Sequence, residues 1–162
     1  MIAGGNSLRP AGRRAAFSLL ELVMVVAILA VAAAIAAPRY AQATARYRSR
    51  VAARRIAEDL GLASRSARTA GAARTVTFSC PGSVYTIAGL PDFRNPSADY
   101  RMDLSAEPYD AVISSVGFAA GGPAVVFDGY GTANSDGTVT VQVGGATCTV
   151  TFSAVTGKAT VP

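Results

Sequence analysis

Residues 17–37 read FSLLELVMVVAILAVAAAIAA, a run of 21 in which only Glu21 is ionisable. Every other position is apolar or Ser. An α-helix of that length spans roughly 30 Å, the thickness of a bilayer hydrocarbon core. The stretch therefore predicts a membrane-spanning helix, with residues 1–16 as a short leader before it and residues 38–162 beyond it. It also poses a problem. A carboxylate without a partner in hydrocarbon costs ~2–3 kcal/mol or more.

The rest of the chain has a different character. Its 162 residues are 51% hydrophobic overall, and much of the positive mean hydropathy of +0.33 comes from the one apolar run. The net charge of +5 is unevenly spread. Arg9, Arg13 and Arg14 stand in residues 1–16 without an acid. Residues 39–74 hold nine arginines against Glu58 and Asp59. From residue 75 onward Arg94, Arg101 and Lys158 face seven acids. Leader and stem are thus basic and the distal part acidic, so the overall charge does not by itself argue for nucleic acid. There is no His, which leaves little from which to build a zinc site, a haem site or a Ser-His-Asp triad. No enzyme activity, cofactor or metal is expected.

Three readings fit residues 1–40. As a secretory signal peptide, the segment has a basic start at Arg13 and Arg14, an apolar core and small-residue cleavage sites near Ala34 and Ala36. As a plain signal anchor, it leaves Glu21 to snorkel from the helix end. The third reading cuts the chain between Ala16 and Phe17. Phe17 then carries a free cationic amine, and Glu21 is the fifth residue, on the helix's first turn. Its carboxylate meets the positive end of the helix dipole and pairs with an amine, its own or a neighbouring subunit's. In an assembly that pair sets the axial register between helices.

The sequence AFSLLELVMVVAILAVAAAIAAPRY, residues 16–40, resembles the N-terminus of type IV pilins and of the pseudopilins of type II secretion. Phe17, Ser18, Leu19, Leu20, Glu21 and Leu22 match the family's opening. Pro38 is the twenty-second residue from Phe17, where the family has a Pro. Ala16 stands where the family has Gly. The resemblance implies cleavage by a prepilin peptidase between Ala16 and Phe17, N-methylation of Phe17, and an assembly role for Glu21. It implies a single-pass protein of the inner membrane with a periplasmic head, whose partners are membrane lipid, other pseudopilins and the secretion platform. Against that orientation, Arg39, Arg46, Arg48, Arg50, Arg54 and Arg55 make the outer flank more basic than the leader.

Pro38 lacks an amide N–H and predicts a kink or a loosened turn. Residues 39–70 beyond it predict a helical stem, within a segment 38–73. Val51 or Ala52, Ile56, Leu60, Ala63 and Ala67 form one apolar stripe, with Arg48, Arg54, Arg55, Arg65 and Arg68 off it. Gly71 predicts the stop. From Thr75 the period becomes two: Val76, Phe78 and Cys80 share a face, as do Val139, Val141 and Val143, and Cys148, Val150 and Phe152. SVYTIAG and AVVFDGYG add strands, and residues 91–110 read as a loop with one short strand. The expectation is an α+β fold, a long helix packed on a small antiparallel β head at 74–162. The order of these elements, with Phe127 and Gly131 at a middle turn and Gly157-Lys158-Ala159 near the end, resembles the GspH/FimT branch of minor pseudopilins.

Cys80 and Cys148 predict a disulfide in an oxidising compartment, with two free buried thiols as the alternative. DGYGTANSDG, residues 128–137, has oxygen ligands without calcium-loop spacing and reads as turn chemistry. Two other functions stay open beside the structural pseudopilin. One is a type IV pilus minor pilin that takes up DNA, for which the C-terminal loop offers only Lys158 where several cations are needed. The other is a secreted β domain freed from an ordinary signal peptide.

Overall fold

A computed structural model describes residues 18–162. Ala16 and Phe17, the two residues of the expected cleavage site, lie outside the described residues. The described chain is one long helix followed by eight strands, and it divides at Pro38 into an apolar helical unit and a compact unit beginning at Arg39.

Helix α1 runs Leu19–Ala70. Ala, Arg and Leu dominate it, all good helix formers. Pro38 stands inside the helix without ending it. The stop comes where the sequence places it. Gly71 takes φ 58°, and two backbone bonds close the end: Ala72 N–H to the Ala67 carbonyl at 3.2 Å and Gly71 N–H to the Arg68 carbonyl at 3.3 Å. That pair of bonds is a Schellman cap, which needs a left-handed residue at its centre.

The strands are β1 (Arg74–Phe78), β2 (Val84–Pro91), β3 (Asp99–Asp103), β4 (Val112–Phe118), β5 (Ala124–Phe127), β6 (Gly137–Val143), β7 (Ala146–Ser153) and β8 (Lys158–Thr160). They form two four-stranded sheets, ordered β3-β2-β1-β5 and β4-β6-β7-β8, with every pairing antiparallel. The fold is α+β, as the change of period predicts, with two sheets in the head. A two-bond bridge joins Gly82, in the connection between β1 and β2, to Ile113 of β4 in the second sheet.

One core unites them. Ala52, Ala53, Ile56, Leu60, Ala63 and Ala67 supply the helix stripe. Val76, Phe78, Tyr85, Ile87, Val125 and Phe127 face it from the first sheet. Ile113, Val139, Val141, Val150 and Phe152 face it from the second. Aromatic pairs cross from sheet to sheet: Phe78 with Phe118 at 5.9 Å between ring centroids, and Phe127 edge-on to Phe152 at 5.6 Å. Ile56 and Leu60 of the stripe are sealed from solvent, and its alanines are equally buried.

Candidate functional site

Two features of the molecule bear on function: the apolar half of α1 with its carboxylate, and the polar link by which the other half grips the head.

The apolar half is unpartnered. An 18-residue window of α1 has a mean hydropathy of 2.8 and none of it is buried. Leu19, Leu22, Val26, Leu29 and Ile35 all stand exposed. This helix is long and apolar enough to cross a membrane and is compatible with a single-pass anchor. Glu21 sits in its first turn, where the helix dipole favours a negative charge. Its backbone N–H donates to Ser18 Oγ at 3.3 Å. Ser18 and Glu21 thus have the spacing of a capping box, in which a hydroxyl satisfies one of the orphan amides that open a helix. The S-x-x-E spacing ahead of an apolar run was the readable signal for this cap.

Pro38 lies in the same helix, 17 residues beyond Glu21. The other expected site residues are in the head and far from that role. Cys80 and Cys148 are free thiols, so the expected bridge is corrected. The reason is local. Strand β1 ends at Phe78, and Ser79 N–H bonds the Val84 carbonyl at 2.9 Å to close the turn. Cys80 is thereby carried off the inward face into an exposed turn, while Cys148 stays buried on β7 in the other sheet.

The polar link was not legible. Asp59 lies in the apolar stripe, 3% exposed. Its Oδ2 accepts a bond from the Tyr85 hydroxyl at 2.6 Å and one from the Tyr100 hydroxyl at 2.8 Å. Arg55, one turn back, donates from Nε to the same oxygen at 3.2 Å and from a terminal nitrogen to the Tyr100 hydroxyl at 2.6 Å. Arg55 therefore does not lie idle off the stripe as expected. It supplies the countercharge that a buried carboxylate requires. Burial, reinforced by the Asp59 charge and hydrogen bond, drives the Tyr85 phenol far above its ordinary value. The Tyr100 phenol is pushed up to about 12, chiefly by burial, with Arg55 opposing and Asp59 reinforcing the shift. Burial works against the Arg55 charge, but its bond to Tyr100 and the Asp59 charge outweigh it and raise its pKa. The four side chains tie α1 to β2 and β3.

A second tie lies one helical turn beyond. Ser64 Oγ donates to the Gly131 carbonyl at 2.8 Å and is buried. Asp128 folds the same loop by accepting from Tyr130 N–H at 3.0 Å and Thr132 N–H at 2.8 Å. The loop 128–137 is thus turn chemistry, as its composition suggests. Among the described residues no three His, Cys, Asp or Glu side chains gather as metal ligands.

Comparison of the chain with family models, curated proteins and solved structures finds no match. The functional reading therefore stands on residues and geometry.

Proposed function

We propose that the chain is a structural subunit of an extracytoplasmic filament, a minor pseudopilin of the type II secretion kind. One observation carries the reading: the single ionisable side chain of the apolar run sits in the first turn of an exposed, capped helix. In this reading it pairs with a cationic amine at a cleaved N-terminus. The apolar segment is continuous in sequence with the stem whose stripe builds the head's core.

In this reading the chain inserts in the inner membrane with its head in the periplasm. A prepilin peptidase cuts between Ala16 and Phe17, and Phe17 is N-methylated. Neighbouring pseudopilins and the secretion platform are its partners, and lipid covers the apolar helix before assembly. Glu21 directs assembly by pairing with the amine of an adjacent subunit. That pairing sets register and relieves the cost of a carboxylate in hydrocarbon. The subunit would help start or cap the filament.

The test is the N-terminal residue and intact mass of the chain purified from membranes. A start at Phe17 supports the reading. A start after Ala36 replaces it with a secreted head, and an uncut chain with a plain anchor.

A further inference from the structure

Between Glu21 and Glu58 the chain has no acid, yet residues 39–57 carry six arginines. The structure sorts these six by face. Arg48 pairs with Asp110 and Arg55 with Asp59, so both turn toward the head. Arg39, Arg46, Arg50 and Arg54 are exposed and pair with no carboxylate among the described residues. At 3.6 residues per turn these four fall within about 80° of one another, a single basic strip along α1. Arg65 stands beyond Glu58, outside the acid-free stretch.

Two further observations bear on what the strip meets. It begins just beyond Ala37, the end of the apolar run, and so continues the membrane-compatible segment outward. Tyr40 and Tyr47, both exposed, stand two turns apart beside it. Tyrosine has an apolar ring and a polar tip, and it is enriched where membrane meets water. Cations without acids, next to an apolar anchor and bordered by tyrosines, are complementary to the phosphates of anionic lipid.

The strip is longer than a headgroup layer is deep. From Arg39 to Arg54 the helix rises roughly 22 Å, against ~5–8 Å of headgroups on each side of the hydrocarbon. All four arginines meet phosphates at once only where the stem runs along the membrane surface. Pro38 stands at the start of the strip. It has no N–H for the Ala34 carbonyl, and proline is where helices bend.

We propose that in the single, unassembled chain the strip of Arg39, Arg46, Arg50 and Arg54 lies on the membrane surface and holds the phosphates of anionic lipids, the chain turning at Pro38. This rests on residues 19–37 being a membrane anchor and not on the filament. The contact also gives the arginines of the outer flank a charge partner.

The test reconstitutes the full-length chain, Cys80→Ser, in vesicles of phosphatidylcholine alone or of an equal mixture with phosphatidylglycerol. Both contain a lipid with a nitroxide on its headgroup. A fluorophore is attached at Glu58→Cys, one turn past Arg54, or at Glu107→Cys, in the loop held by Arg48 and Asp110 on the other side of the stem. Each replacement removes one acid, so the two are matched in charge. Upright, the stem would hold position 58 ~30 Å beyond Ala37. Quenching at position 58 should be roughly twofold or more stronger in the anionic vesicles, and quenching at position 107 should not change. Replacing all four arginines together (Arg39→Gln, Arg46→Gln, Arg50→Gln, Arg54→Gln), or adding high salt, should return position 58 to its value in phosphatidylcholine. Continued protection of Cys148 from maleimide shows that the variants are folded. Equal quenching at position 58 in the two vesicle types, an equal rise at position 107, or quenching that survives the four replacements overturns the proposal and leaves the strip to an acidic protein partner. Flotation reads the anchor separately. Failure to float with phosphatidylcholine vesicles removes the anchor and with it the proposal.

Discussion

The Tyr85 hydroxyl donates to Asp59 Oδ2 at 2.6 Å across the boundary between helix and sheet. The bond couples the stem to β2, and Tyr100 at 2.8 Å extends the coupling to β3. The junction is buried and charge-assisted, so it holds stem and sheet together more firmly than neutral hydrogen bonds would.

Removing the acceptor should therefore cost more than removing one donor. Asp59→Ala leaves the Tyr85 hydroxyl unpaired, the Tyr100 hydroxyl without an acceptor for its proton, and a half-buried guanidinium without its countercharge. The expected loss is ~3–5 kcal/mol, as for breaking a buried ion pair. Tyr85→Phe removes one hydrogen bond of several and should cost about 1–2 kcal/mol. Urea unfolding of both variants against the parent, followed by circular dichroism, checks the order.

The same cluster sets a limit at alkaline pH. Tyr85 and Tyr100 have raised folded-state values, Tyr100 to about 12. Unfolded tyrosine ionises near ~10, so between those values the folded state holds more protons. The stability contributed by these phenols is full below pH ~10 and is lost as pH rises through the folded values. Phenolate absorbance followed beside circular dichroism should show Tyr85 and Tyr100 ionising together with unfolding. Ionisation of both at the ordinary value in the folded state would contradict the cluster.

How far the sequence discloses this molecule depends on the range of each interaction. Helix, stop and most strands rest on local pattern, and Ala52, Ile56, Leu60, Ala63 and Ala67 are buried as their spacing requires. Strand β4 escaped the pattern because the register shifts between Ile113 and Ser115, which breaks the alternation of faces. Asp59 escaped it because its partners lie 26 and 41 residues away. Beside Glu58 in an arginine-rich helix, it looks like surface charge. Glu21 was legible by its isolation, whereas its Ser18 cap emerges from the structure.

Gly131 and Gly145 should respond oppositely to the same change. Gly131 has φ +75°, and a Cβ there would lie 2.8 Å from the Ser64 carbonyl oxygen. Gly131→Ala should destabilise the head by about 1–3 kcal/mol through strain and the displaced loop. Gly145→Ala has open space and should change stability by less than ~0.5 kcal/mol. Thermal unfolding of the pair reads the difference.

The two thiols should separate by exposure. Cys80 is exposed and Cys148 buried. A maleimide added to the folded chain should label one site, at Cys80, and label the second only in denaturant. Peptide mapping by mass spectrometry identifies the sites. Absence of labelling without prior reduction would mean that the thiols are bridged after all.

Glu21→Ala should leave membrane insertion intact, since it removes the one charge from the apolar run. It should abolish incorporation beside other subunits. Alkali extraction of membranes reads insertion, and copurification with neighbouring pseudopilins reads incorporation. Unchanged copurification would remove Glu21 from the assembly mechanism.

The central claim is that Glu21 lies where it does because the chain begins, once processed, at Phe17. Intact mass and N-terminal sequencing of the protein extracted from membranes test this most directly. The account predicts a mature chain that starts at Phe17 and carries the mass of one added methyl group. A chain that starts just after Ala36 would contradict it, since the apolar helix and its glutamate would then have been discarded.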